Sequence, residues 1–224
     1  MLALLITAKN EENTVGRVLE AFRESAESHF RKLEAIVVDD GSDDATTEVA
    51  RRAGASHVLQ SGGLGLAQSF QLGVDAALGV GAATIVHTDA DGQYDPSDIH
   101  VLLRELDSGA DLAIGNRLWQ RPPHMPPSRY LANVALSKVV SVISRVAVPD
   151  SQSGYRAFSA QLAESVRISS KFTYTQEQII RAAGMGFRIT HPPISFEERR
   201  FGASRLVVSP ADYGYRVVRD LMKI

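Results

Sequence analysis

The 224-residue sequence predicts a single α/β domain with a mostly parallel central sheet flanked by helices. Three observations carry that prediction. Residues 1–115 alternate short β-rich runs with helical periodicity, the pattern of crossover units feeding a parallel sheet. Successive β-rich runs end in polar or acidic clusters, where loops and helix N-termini of such sheets converge. A hydrophobic content of 44% in a chain of this length is enough for one substantial core and argues against disorder.

The elements follow in order. Residues 2–6, Leu-Ala-Leu-Leu-Ile, read as a buried strand, being too short for a signal h-region and without a basic residue before them. A helix should begin near Glu12, because Val15, Val18, Leu19 and Phe22 share one apolar face. Residues 34–38 form the second strand, ending in Asp39-Asp40-Gly41-Ser42, with Ser42 or Asp43 as cap of a helix running to about Ala53. Residues 57–59 are a weak third strand, 67–79 a helix and 84–88 a fourth strand. Asp95-Pro96 marks the next helix start, with Ile99, Leu102, Leu103 and Leu106 facing inward.

A strand at 112–115 closes the first half, and the character then changes. A proline-rich loop at 121–127 leads to a helix over about 128–148. The remainder holds a helix near 175–183, strand material at 187–190 and 194–196, and a C-terminal helix started by Ser209-Pro210. Residues 1–115 and 116–224 are thus two halves of one domain, divided by task.

Composition excludes several classes. No cysteine means no disulfide scaffold, no Cys-ligated metal and no cysteine nucleophile, which fits a reducing compartment. A net charge of −2 offers no global field for nucleic acid. The longest apolar tract, 131–149, is broken by Lys138, Arg145 and several serines, so no spanning helix is predicted.

Asp89 and Asp91, spaced i, i+2 after the fourth strand with Gly92 beside them, can hold a hard divalent ion through oxygen. Taken alone, Asp-x-Asp is as readily a solvated turn. The strand before it and the capped helix behind it favour the site. An EF-hand loop fails, since counting from Asp89 puts Tyr94 at the obligatory glycine and His100 at the bidentate glutamate. There is no Walker run, and Gly62-Gly63-Leu64-Gly65 lacks dinucleotide spacing.

Residues 112–149 contain no acid but include Arg117, Arg121, Arg129, Lys138 and Arg145, a one-signed stretch suited to an anionic partner, either an acceptor phosphate or lipid headgroups. Leu131, Val134, Val139, Val142, Ile143 and Val146 give its helix an apolar face, for which core packing is favoured over an interfacial role. His87 reads as a hydrogen-bonded core histidine; Trp119 either gates a cleft or packs under the proline loop; Glu177 either caps its helix or pairs with Arg181.

Seven segments together resemble the family 2 glycosyltransferases of GT-A fold, specifically the branch of dolichol- and polyprenyl-phosphate sugar synthases. They are Thr7-Ala-Lys-Asn-Glu11, Val37-Val-Asp-Asp-Gly-Ser42, Gly65-Leu-Ala-Gln-Ser-Phe-Gln-Leu-Gly73, Thr88-Asp-Ala-Asp-Gly-Gln93, Gly115-Asn-Arg117, Asp150-Ser-Gln-Ser-Gly-Tyr-Arg156 and Arg199-Arg-Phe-Gly-Ala-Ser-Arg205. The resemblance spans nearly the whole chain.

It implies a metal-dependent, inverting hexosyltransferase using a UDP- or GDP-hexose donor and a polyprenyl or dolichyl phosphate acceptor. Thr7, Glu11, Asp39, Asp40 and Gly65 would line the donor pocket, and Asp89, Asp91 and Gln93 would hold Mg²⁺ or Mn²⁺ against the diphosphate. Arg199 and Arg205 would close over that diphosphate, Arg205 standing where relatives carry lysine. Arg117 and Arg129 would grip the acceptor phosphate. If a base is needed, Asp150 is the candidate, with a plain turn residue as its other reading. The implied location is cytoplasmic or peripheral at the inner membrane face; many relatives append transmembrane helices, whereas this sequence stops at Lys223-Ile224, which weakens the case for membrane attachment. Transfer to a soluble or glycan hydroxyl, and a non-catalytic sugar-nucleotide-binding protein, are the alternatives.

Overall fold

The computed structural model of the protein describes residues 1–27, 32–170 and 173–201. The order is β1 (Leu2–Ala8), α1 (Val15–Glu27), β2 (Leu33–Asp39), α2 (Thr46–Arg52), β3 (His57–Gln60), α3 (Leu66–Gly79) and β4 (Thr84–Asp89). A 3₁₀ turn (Pro96–Asp98) leads into α4 (Ile99–Asp107), followed by β5 (Leu112–Ile114), α5 (Pro127–Ser144), β6 (Arg156–Ser159), α6 (Ala160–Ser165), α7 (Tyr174–Gly184) and β7 (Ile189–Thr190).

These strands form one seven-stranded sheet ordered β3-β2-β1-β4-β6-β5-β7. Pairing is parallel throughout β3-β2-β1-β4 and between β5 and β7, whereas β6 runs antiparallel to both β4 and β5. β6 was not expected: four residues opening on an arginine carry no strand period. That arginine is met from within at two of its nitrogens: Arg156 is fully buried, Nε donates to the Ser153 carbonyl, and Nη1 donates to the Thr175 carbonyl and to Gln178 Oε1.

Both faces of the sheet are covered, so β1 is buried along its whole length and reads as a continuous apolar run. Ala3 and Leu5 join Phe70, Val74, Ile85, Phe158 and Ile179 on one side. Leu2, Leu4 and Ile6 join Leu19, Phe22, Val86, Leu102 and Tyr155 on the other. Gly73 lets α3 lie close on the sheet; a Cβ there would sit 2.2 Å from Leu5 Cδ1.

Several expectations are corrected. α2 starts at Thr46, not at a Ser42 or Asp43 cap: Asp44 accepts from the Thr46 amide, while the Ser42 amide is drawn back to Asp39. Residues 194–196 form no strand, and Phe196 makes only an isolated bridge to Tyr94. Most of the expected α5 stripe faces outward, with only Val134 and Val146 half-buried. Its protein-facing positions include Ser137, which accepts from the Ser151 amide, and Ser141, which bonds both polar groups of Val148's backbone, while Leu131 and Val142 stand 64% and 79% exposed. Small hydroxyl residues let α5 sit close to the 148–151 backbone, with Val140 in the core beside them, while Leu131, Val139, Val142 and Ile143 face outward. The helix foreseen at Ser209-Pro210 lies outside the described residues.

Candidate active site

Register places the acidic strand ends side by side: Thr7 pairs with Asp89, and Ala8 with Asp39. The loops that follow β1 and β2 are cross-braced. Asn10, in the left-handed region at φ 53°, donates its amide to Ser42 Oγ and accepts the Asp43 amide on Oδ1. The Glu11 amide donates to Thr46 Oγ1, and Glu12 accepts from the Ala45 amide. A left-handed non-glycine residue is costly and persists only when its neighbours fix it. Asn10 thus holds the loop in shape, a role its place in the first motif did not disclose.

Asp39 and Asp40 are braces in this structure. Asp39 accepts from the Ser42 amide and hydroxyl on one oxygen and from Thr47 on the other. Asp40 Oδ1 accepts from Ser61, Ser69 and the Gly65 amide, and its Oδ2 lies 3.8 Å from Lys9 Nζ. Of the pair, the Oδ2 edge of Asp40 faces the Lys9 ammonium at the cleft; Asp39 is consumed by its own turn. Gly65, at φ 95°, precedes the first turn of α3.

The acidic centre lies at the end of β4. Asp89 is pressed against Gly154, while Asp91 accepts the Gln93 amide on one oxygen and Arg199 Nη2 on the other at 2.8 Å. Arg199 Nη1 reaches Glu11 at 3.0 Å, so one guanidinium bridges the β1 and β4 loops. Loss of solvent, then the charge of Asp91, pushes the Asp89 carboxyl up to about 7 against the pull of Arg117, Arg199 and Arg156. Burial likewise lifts Glu11, in spite of Arg199. The cluster is short of positive charge.

A hard divalent cation fits that deficit. Among the described residues no three Asp, Glu, His or Cys side chains gather to hold a metal by themselves. Asp89 and Asp91 would supply two carboxylates and leave other positions for phosphate oxygens or water, the usual arrangement for Mg²⁺. Gln93 is at hand, but its side-chain amide donates to the Glu197 carbonyl.

Beyond the sheet's midpoint, Arg117 and Asp150 form a buried fork. Arg117 Nε and Nη2 donate to the two Asp150 oxygens at 2.8 and 2.9 Å, and the Arg117 and Gln152 amides add to them. Burial alone would raise Asp150, but the Arg117 charge and these bonds hold it below its ordinary value. A carboxylate so engaged acts in this structure as a brace for Arg117, with both oxygens occupied by hydrogen bonds. Arg117 also packs on the Phe196 ring and keeps only Nη1 without a hydrogen bond among the described residues. Arg129 is exposed on the first turn of α5. Arg205 lies outside the described residues.

His87 is a core histidine as read: its Nδ1 lies 2.6 Å from the Gly154 carbonyl, Nε2 faces Thr7 Oγ1 at 3.1 Å, and burial lowers it to about 3, so the ring is neutral. Thr7's hydroxyl is thereby directed at His87. Trp119 is half exposed and donates to the Ile194 carbonyl, and Glu177 pairs with Arg181 while accepting from the Ser169 and Ser170 amides. Sequence reasoning missed Tyr94, whose buried hydroxyl accepts the Gly154 amide.

Comparison with known proteins places this geometry. The profile described as Glycosyl transferase family 2 matches residues 3–131. A polyprenol monophosphomannose synthase of Mycolicibacterium smegmatis is 31% identical, the match covering 92% of this chain and 80% of that protein. A dolichyl-phosphate hexose transferase of Haloferax volcanii is 28% identical across 100% of this chain and 93% of its own length. Among solved structures, glucosyl-3-phosphoglycerate synthase from Mycobacterium tuberculosis with Mn²⁺ and UDP-glucose superposes with a TM-score of 0.76 at 18% identity, covering 100% of this chain and 79% of that one. At that identity the likeness speaks to fold, which is GT-A. With the profile spanning more than half of the sequence, the chain belongs to glycosyltransferase family 2.

Proposed function

We propose that the protein transfers a hexose, with inversion, from a nucleoside diphosphate sugar to the phosphate of a polyprenyl or dolichyl lipid. One observation carries the choice of acceptor. Between Asp111 and Glu164 the sequence holds a single acid, Asp150, and its carboxylate is spent on Arg117. A hydroxyl acceptor must lose its proton during attack, whereas a phosphate already presents anionic oxygen. The lipid-phosphate transferases among the mycobacterial and haloarchaeal relatives support the same class of acceptor.

In this reading, an acceptor phosphate oxygen forms a bond to the anomeric carbon as the bond to the diphosphate oxygen breaks on the opposite face. A divalent cation at Asp89 and Asp91 would offset the charge that grows on the departing diphosphate. Arg199 already sits between Glu11 and Asp91, and shifting one side chain's reach onto the diphosphate would add a fixed cation there. By the resemblance, Arg205 would add a second cation toward the same diphosphate. Thr7, Glu11, Asp40 and Gly65 border the pocket for the nucleoside. Arg129 and the free Nη1 of Arg117 would hold the acceptor phosphate.

No helix among the described residues is long and apolar enough to cross a membrane. The outward face of α5, with Leu131, Val139, Val142 and Ile143 exposed and Arg129, Lys138 and Arg145 beside them, would rest on anionic headgroups and bring the lipid phosphate to the cleft.

The test is a partition assay. Purified protein, Mn²⁺ or Mg²⁺, a labelled UDP- or GDP-hexose and polyprenyl phosphate in detergent should yield label in the organic phase, and Asp91→Ala should abolish it. Transfer to a water-soluble acceptor without lipid, or donor binding with no product on any acceptor, would overturn the reading.

A further inference from the structure

We propose that Gly154 is a positioning residue for the metal carboxylate Asp89, held in place by Tyr94 and His87. The inference rests on the metal reading above and goes beyond it. Asp89 lies flat against this glycine: a Cβ built on Gly154 would stand 2.6 Å from Asp89 Oδ2, 3.2 Å from Cγ and 3.2 Å from Oδ1. No real Cβ tolerates the shortest of these distances. Any side chain at residue 154 therefore drives the Asp89 carboxylate away from where it now lies.

The glycine is itself pinned at both polar groups of its backbone. Its amide donates to Tyr94 Oη at 2.9 Å, and its carbonyl lies 2.6 Å from His87 Nδ1. Both partners are rigidly seated. Tyr94 is 5% exposed and packs against Tyr155 and Phe196; His87 is fully buried in β4, two residues before Asp89, with its ring edge-on to Phe70 and Tyr174. A carbonyl oxygen only accepts, so His87 Nδ1 carries the proton it shares with Gly154, while Nε2 faces Thr7 Oγ1 at 3.1 Å.

The arrangement ties three separate segments to one point. β4 supplies Asp89 and His87, the loop between β4 and α4 supplies Asp91 and Tyr94, and the loop before β6 supplies Gly154. The Asp89 side of the pair is thereby fixed by packed and hydrogen-bonded groups, while Asp91 is held by its own turn through the Gln93 amide and by Arg199. Partners that orient a metal ligand without touching the metal commonly change affinity about 10- to 100-fold when altered. It also gives the Asp150-to-Arg156 motif a reason to contain glycine.

The experiment measures Mn²⁺ uptake by the full chain from the loss of the free hexaaquo Mn²⁺ resonance signal, with melting temperature read in parallel. Gly154→Ala should weaken Mn²⁺ binding about tenfold or more. Tyr94→Phe, which keeps the ring and leaves Asp89's space untouched, should weaken it about threefold or more through a loosened Gly154; this variant decides the matter if Gly154→Ala does not fold. Lowered melting temperatures with wild-type Mn²⁺ affinity in the folded variants would overturn the positioning role alone. Wild-type protein taking up no Mn²⁺ would overturn the metal reading and this inference with it.

Discussion

Replacing Asp150 by asparagine separates a base from a brace. The carboxylate is fully buried and Arg117's side chain is 8% exposed, so neither charge has water to fall back on. Asparagine keeps one acceptor for the fork and turns an amide donor toward the other guanidinium N–H. Breaking a buried pair from one side costs about 3–5 kcal/mol. The surviving bond and the Phe196 ring, 5.0 Å from the guanidinium carbon, place this variant at about 3 kcal/mol, the lower end of that range. For a chain of this size that is a fall in melting temperature of about 6–12 °C. Because Asp150 is depressed below 3.8 when folded, its contribution is complete above the unfolded value and is lost as pH falls through the folded one. Calorimetry and transfer kinetics should show lower stability and a raised KM for the lipid phosphate, with kcat reduced far less. A melting temperature unchanged alongside a kcat down a hundredfold or more would refute the brace, since about 10²–10⁴ is the loss expected of a general base.

Arg199→Ala removes the cation that competes for Asp91, so binding of Mn²⁺ alone should tighten about fivefold, from roughly 1 kcal/mol for a part-exposed pair, while binding of the nucleoside diphosphate weakens. Weaker Mn²⁺ binding in titration calorimetry would contradict that. Asp89, raised to about 7 from 3.8, binds its proton more tightly folded than unfolded, so metal-free stability should fall as pH rises across that window, by at most about 1.4 kcal/mol per pH unit. Asp89→Asn should flatten the slope; parallel wild-type and variant curves would sink the argument. Val142→Asp, at a 79% exposed position, should leave folding intact and cut sedimentation with anionic vesicles about tenfold, as expected for an added cost of roughly 1.4 kcal/mol. Equal sedimentation would remove α5 from the membrane.

The parallel half of the fold was readable because its signals are local. Leu2 to Ile6 is a continuous apolar run, and Val15, Val18, Leu19 and Phe22 repeat at helical spacing, so period and position agree. β6 was not readable. Arg156 can occupy a sheet interior only because Ser153, Thr175 and Gln178 meet it there, and nothing in Arg-Ala-Phe-Ser announces those partners. The same holds for α5, whose period identifies a helix but not which side faces protein. That was settled by Ser137 and Ser141 bonding the 148–151 backbone.

At the site, residue types were legible and their partners were not. Asp89 and Asp91 stand out by spacing after a strand. The fork between Arg117 and Asp150 spans 33 residues, and the Thr7–His87 contact spans 80, so no window of sequence contains them. Charge counting found the basic stretch at 112–149 but could not see that Asp150, just past its end, neutralises one member. Tyr94 and Gly154 lie 60 residues apart, so the bond between them is equally invisible in any window of sequence.

The acceptor decides the account. Initial rates on polyprenyl phosphate and on the free polyprenol of the same chain length, with the same donor and metal, compare an anionic oxygen with a hydroxyl that must be deprotonated. Transfer should go to the phosphate alone, at a rate that does not follow the titration of any carboxylate on the acceptor side. Comparable rates on the alcohol, lost on Asp150→Asn at unchanged melting temperature, would contradict it.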